Sequence, residues 1–262
     1  MHHHYQLTLD DARPEWVRSW MAEMMVQGRH PNTVHRKLSS LSAYYRYCML
    51  TNHRSDNPCA GIKKPKKPSR LPMFLDAHAT ERLYDTISGL QGQADFPCVR
   101  DSFMLRLLIE TGLRRAELIE LLRSDIDFSY KRIRVLGKRN KVRLIPISDD
   151  LLENISRYLK ERDKSFESSD CIQLLLNDRG QKMSTNFVHQ KIHSYLSGVT
   201  TIKKKSPHVM RHSFATGMLN NGADLQAIKE LLGHTSLAAT QVYTHNTISK
   251  LRQIHHNKHP RS

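Results

Sequence analysis

Two histidines, an arginine and a tyrosine stand in order in the last third of the chain, His208, Arg211, His234 and Tyr243, with Arg114 and Lys138 upstream. Such a set can cut a phosphodiester without a metal. The Tyr243 phenol is a nucleophile, two guanidiniums and two imidazoles can surround a phosphate, and Lys138 can hand a proton to a departing sugar oxygen. His208 and Arg211, three apart at a helix start, share a face beside the open N–H groups of the first turn, a setting that favours an anion. Glu117, three residues after Arg114, can hold the fork of that guanidinium in place. Taken singly, each residue has a plainer reading. His208 and Arg211 could be solvated, Arg114 and Glu117 a surface ion pair, Lys138 a turn lysine facing water, and Tyr243 a half-buried aromatic. His208 and His212 could clasp zinc at their spacing of four, but Arg211 lies between them and no acidic base accompanies them, so no metal and no cofactor are expected.

The elements that must position these residues follow from periodicity and punctuation. Between Pro14 and Gln27 the residues Trp16, Val17, Trp20, Met21, Met24 and Met25 make one helical stripe, which Gly28 stops. From Asn32 to Leu50 a second helix carries Val34, Leu38, Leu41, Tyr45 and Cys48 inward and Arg36, Lys37 and Arg46 outward. Three prolines among the lysines of residues 63–72 forbid a helix and mark a basic linker, in which Lys64 and Lys67 could follow DNA phosphates. The spacing predicts a helix from Arg100 to Glu110, a turn at Thr111 and Gly112, and a further helix holding Leu113, Leu118, Leu121 and Leu122. A β-hairpin is expected with Ile133 and Val135 on one arm, Val142, Leu144 and Ile147 on the other, and Gly137 to Asn140 between them. Cys171 to Leu176 reads as a third strand. Helices are then expected from Ser184 to Leu196, from Ser206 and Pro207 to near Gly222, from Asp224 to Leu232, from Ser236 to about Tyr243, and from Thr247 to about His255.

Composition narrows the partner. The 262 residues carry 41 Lys and Arg against 25 Asp and Glu, a net charge of +16, and a polyanion met by counterion release is the natural counterpart. Nucleic acid is the leading candidate. A basic surface could also meet anionic lipid, but no lipidation motif and no apolar run of spanning length is present, so no membrane association is expected. Four cysteines without C-x-x-C spacing argue against a zinc knuckle or a disulfide framework and point to a reducing cytoplasm. The opening Met1-His2-His3-His4 resembles a shortened affinity tag, and no secretory pattern follows it.

Four segments together resemble the tyrosine recombinase (phage integrase) family, and within it the bacterial Xer branch. They are Thr111 to Leu118 (TGLRRAEL), Gly137 to Arg143 (GKRNKVR), His208 to Thr216 (HVMRHSFAT), and Leu231 to His234 continuing through Thr240 to His245 (LLGH and TQVYTH). The resemblance runs from about Leu71 to the C-terminus and, more weakly, through the preceding helices. It implies a mainly α fold with a small antiparallel sheet: a partial, truncated helical core-binding domain at 1–62, a linker at 63–72 and a catalytic domain at 73–262. By that resemblance Arg114 and Arg211 grip the scissile phosphate, His208 and His234 complete the cage, and Tyr243 attacks to give a 3′-phosphotyrosyl bond. Lys138, filling the family's position in preference to Lys141, would protonate the leaving 5′-oxygen, and Glu117 would orient the arginine from behind. Arg139, Lys141 and Arg143 would contact phosphates, as would Arg36 and Lys37. The partner that the resemblance implies is double-stranded DNA, and the implied protein is a site-specific recombinase working as a tetramer on two duplexes, a homotetramer or one shared with a paired recombinase. A type IB topoisomerase-like relaxase and a non-catalytic DNA-binding protein are the alternatives; the complete six-residue set speaks against the latter. Chromosome-dimer resolution and integration of a mobile element both stay open. The terminal helix with Ile248, Leu251 and Ile254 would dock on a neighbouring protomer.

Overall fold

A computed structural model describes residues 8–66, 73–93, 95–137, 140–167 and 170–233. The chain divides into two compact units, Met1–Leu71 and Pro72–Ser262.

In the first unit, α1 (Pro14–Val26) and α2 (Pro31–Leu50) each begin with proline in the first turn, where a missing N–H is harmless. Gly28 at φ +71° closes α1 with paired bonds, Gly28 N–H to Met25 O at 3.0 Å and Arg29 N–H to Met24 O at 2.9 Å. Val17, Met21 and Met24 then face Val34, Leu38 and Tyr45, with Cys59 closing the small core. Arg54 straps its edges together: its guanidinium donates to Asp10 O (2.7 Å) and Ala12 O (2.6 Å), pairs with Asp56 (2.6 Å) and lies 5.1 Å from the Tyr45 ring centre. Arg36, Lys37 and Arg46 stay exposed on the outer face of α2, and Lys64 is exposed beyond it.

The second unit is mainly helical with one small antiparallel sheet. It contains α3 (Ala77–Gln91), α4 (Phe96–Thr111), α5 (Arg115–Glu120), β1 (Ile126–Asp127), β2 (Arg132–Leu136), β3 (Val142–Pro146), α6 (Asp149–Ser165), α7 (Thr185–Val199), α8 (Pro207–Asn220) and α9 (Leu225–Leu232). α4 is buried nearly all round, its charged Arg100, Asp101 and Glu110 included, and α3, α6 and α8 pack against it. Each leucine it buries contributes about 1.5–3 kcal/mol relative to exposure. α3 and α6 are helices that the sequence reading above did not assign, although Asp76 and Ser148 cap them through Ala79 N–H (2.7 Å) and Leu151 N–H (3.2 Å). Among the described residues no helix is long and apolar enough to cross a membrane.

Two expectations are corrected here. Cys171–Leu176 is not a strand: it makes only isolated bridges, Leu122 with Gln173 and Leu176 with Lys182. Its backbone is served by two bonds to the preceding loop, Leu174 N–H to Leu121 O (2.7 Å) and Arg123 N–H to Ile172 O (3.4 Å), and by side chains of α6. Tyr158 Oη donates to Leu174 O (3.0 Å) and accepts from Leu176 N–H (3.1 Å), and Arg162 donates to Cys171 O (2.6 Å). The third strand is β1, in the order β1-β2-β3. The second correction concerns the face of β3. The resemblance puts Arg143 among the phosphate contacts, but Ile133 pairs with Ile145 and Val135 with Arg143, so the inward residues are Arg143 and Ile145. A cross-strand pair shares one face of the sheet, and Val142 is left 44% exposed.

Candidate active site

The site grows from a turn that only glycine permits. Thr111 ends α4, Gly112 adopts φ +60°, and a Cβ there would lie 2.6 Å from the Phe214 ring and 2.8 Å from the Leu232 side chain. The chain therefore reverses tightly between α8 and α9 and delivers Arg114 at the start of α5. Glu117, at the third position of α5, accepts the Arg114 backbone N–H at 2.9 Å and so fixes the helix start.

Glu117 is buried, and all four acceptor directions of its carboxylate are used. Oε1 accepts from Arg114 Nη1 (2.7 Å) and Arg143 Nη1 (2.9 Å), while Oε2 accepts from the Arg114 backbone and from Arg143 Nη2 (2.8 Å). Burial alone would raise this carboxyl, but the Arg143 fork and the bonds from Arg114 hold it at about 2. It is ionised at any working pH. Arg143, read from sequence as a phosphate contact, is instead 4% exposed and faces into the protein. The signal that could have found it is the hairpin register: with Ile133 and Val135 inward, the residue opposite Val135 must be inward too.

Three arginines from three elements converge on the end of α9. Arg143 Nε donates to Leu231 O (2.7 Å), Arg211 Nη2 to Leu232 O (2.6 Å) and Arg114 Nη2 to Gly233 O (2.9 Å). Carbonyls of a last helical turn lack partners within the helix and carry the negative end of its dipole, so cations satisfy them well. Arg211 also donates to Gly112 O at 2.6 Å, tying α8 to the turn before Arg114. Its guanidinium is pushed down to about 10, first by burial and then by the nearby positive charge of Arg114. It is still cationic near neutrality, but in a place where that charge is disfavoured.

His208 sits at the exposed start of α8, one turn before Arg211. Ser206 occupies the N-cap position, yet its side chain makes no capping hydrogen bond. Partial burial, then Lys204, His212, Arg115 and Arg211, lower the His208 imidazole below its ordinary range. The shift favours the neutral imidazole, the form able to accept a proton. Lys141 is exposed beside the hairpin turn. Lys67, Lys138, Arg139, His234 and Tyr243 lie outside the described residues, as do the expected helices after Gly233.

The arrangement can therefore hold an anion between Arg114 and Arg211, with Glu117 and Arg143 behind the first of them and His208 beside the second. The model of the phage integrase family matches residues 73–250. A tyrosine recombinase XerC of Chlorobaculum parvum is 33% identical over 93% of this chain and 78% of its own length. A tyrosine recombinase XerD of Yersinia pestis is 35% identical over 99% of this chain and 86% of its own. A solved structure of the XerH recombinase on its palindromic difH substrate, a post-cleavage complex, shares the fold at 19% identity, with a TM-score of 0.73 over 97% of this chain and 71% of that one. On the family match and these identities, the chain belongs to the phage integrase family of tyrosine recombinases, in its Xer branch.

Proposed function

We propose that this protein recombines DNA at a defined site, cutting and rejoining strands through Tyr243 while four protomers hold two duplexes. The observation that carries this reading is the convergence of Arg114 and Arg211 on the end of α9, with Glu117 and Arg143 in support, immediately before the stretch that bears His234 and Tyr243. The Tyr243 oxygen attacks the scissile phosphorus, a phosphorus–tyrosine bond forms, and the bond to the 5′-oxygen breaks. The phenolic proton passes to a base, for which neutral His208 is suited, and Lys138 supplies the proton that leaves a 5′-hydroxyl. Charge accumulates meanwhile on the non-bridging oxygens, where Arg114, Arg211 and His234 stabilise it without the reorganisation that water would need. The ester keeps the energy of the broken bond, so the 5′-hydroxyl of another duplex can reverse the step and exchange strands.

DNA as partner is supported by the +16 charge, by exposed Arg36, Lys37, Lys64 and Lys141, and by the DNA-bound state of the XerH neighbour. Lys67 and Arg139 belong to the same proposed set. Incubating the protein with a library of nicked duplexes, trapping covalent complexes and sequencing the bound strands tests the reading. A defined sequence should be recovered from the parent protein and no adduct from Tyr243→Phe, which should still bind the same DNA. Adducts formed by Tyr243→Phe, or trapping without sequence preference, would contradict it.

A further inference from the structure

Arg143 lies on the inward face of β3, opposite Val135, where a strand of this sheet buries apolar side chains. A buried cation is costly unless fully engaged, and this one is: both terminal nitrogens lie on Glu117 and Nε lies on Leu231 O. The two targets belong to different elements. Glu117 sets both the backbone and the guanidinium of Arg114, whereas Leu231 O is in the last turn of α9. Gly233 closes against the same side chain, since a Cβ there would come within 3.2 Å of Arg143 Nη1.

We propose that Arg143 is a positioning residue of strand cleavage, which sets Arg114 through Glu117 and at the same time fixes the end of α9 from which the chain runs on to His234 and Tyr243. The proposal rests on the reading of the site given above. A planar fork is needed for this task. Lysine in the same place keeps the charge, but it is a point donor that cannot bridge both carboxylate oxygens and the Leu231 carbonyl together. The charged groups that face Glu117 are Arg114 at the start of its own helix, Arg143 from β3 and Arg211 from α8; α9 presents carbonyls. Loosening Arg143 removes the strongest partner of the carboxylate and lets it drift toward the ordinary range.

The test compares the parent with Arg143→Lys and Arg143→Gln on a nicked duplex recovered by trapping, measuring single-turnover adduct formation against pH, DNA affinity, and amide hydrogen exchange in α9. Arg143→Lys is expected to slow adduct formation by about 100-fold, the scale set by small misplacements of reacting groups, while DNA affinity stays within about twofold. The acid limb of its rate profile should move to higher pH, and amides in the last turn of α9 should exchange faster. A residue that only filled space would leave the acid limb where it is. Arg143→Gln, shorter and without the charge, should be slower still than Arg143→Lys. Parental rates and parental exchange in either folded variant would overturn the proposal. Should the parent itself form no adduct on any duplex, the recombinase reading falls, while the exchange measurement still decides whether Arg143 fixes α9.

Discussion

Two buried arginine networks in the second unit are built alike and balanced differently. Arg100, fully buried between the rings of Phe96 and Phe187 at 5.5 and 4.9 Å, pairs with Asp101 at 2.8 Å and with Asp178. Asp101 in turn accepts from Tyr195 Oη at 2.8 Å and meets Lys191 at 2.9 Å. Two cations face two carboxylates there. Around Glu117, by contrast, three guanidiniums of Arg114, Arg143 and Arg211 face one carboxylate. Burial would pull Arg100 down, yet Asp101 and Asp178 lift it above its ordinary value, whereas Arg211 falls to about 10. The first network is neutral; the second keeps a positive surplus, which on the proposed function is there for an anion. Such a surplus costs the folded protein stability, and on that reading a bound phosphate would relieve it.

Removing the carboxylate from each network should give the largest effects and break the likeness between them. Glu117→Ala leaves buried Arg143 with no carboxylate, and Asp101→Ala leaves Arg100 with only the half-exposed Asp178; the first should lower the unfolding free energy by about 3–5 kcal/mol in urea titrations and the second by less. Only Glu117→Ala should also abolish adduct formation by the protein that remains folded. Next in size is Arg211→Ala, for which single-turnover cleavage should drop by about 10²–10³-fold, the loss typical of one donor to a developing negative charge. The same change at Arg100 should affect cleavage only through the folded fraction.

Acid sharpens the contrast further. Because the folded carboxyl of Glu117 lies at about 2 against an ordinary 4.5, its contribution to stability is fully present above pH 4.5 and is lost as pH falls through 2. That contribution is on the order of 3 kcal/mol, and Glu117→Gln should flatten the rise of unfolding free energy with pH across this window by a comparable amount. The smallest effect concerns anions. Sulfate at about five times its dissociation constant should stabilise the parent by roughly 1 kcal/mol over chloride at equal ionic strength, through binding to the folded state alone. Arg211→Ala should lose this gain, and Arg100→Ala should keep it.

What the sequence disclosed followed from how local each signal is. α1 and α2 are written in spacing, proline and Gly28, and Gly112 with Arg114 and Glu117 announced the turn and the helix start. α6 was equally legible from Ser148, Asp149 and Asp150 ahead of Leu151, Ile155, Tyr158 and Leu159, but it holds none of the residues that drew attention. β3 misled because alternation was counted on apolar residues alone. Val142 and Leu144 bracket Arg143, and nothing local says that the arginine has a buried carboxylate waiting on α5. Cys171–Leu176 misled for a related reason, since a short apolar run states that it is buried and leaves open whether a regular strand, or isolated bonds to a loop together with side chains of α6, take its hydrogen bonds. The partners of Arg211 lie 99 and 21 residues away, which no motif of neighbouring residues encodes.

The central claim is that the positive surplus around Glu117 exists for the charge of the scissile phosphate. The most direct measurement places a neutral methylphosphonate at the cleaved position of a trapped duplex and compares adduct formation by the parent and by Arg211→Ala. With the negative charge removed, the penalty for losing Arg211 should shrink from about 10²–10³-fold to less than about tenfold. A penalty that stays at its full size on the neutral substrate would contradict the account.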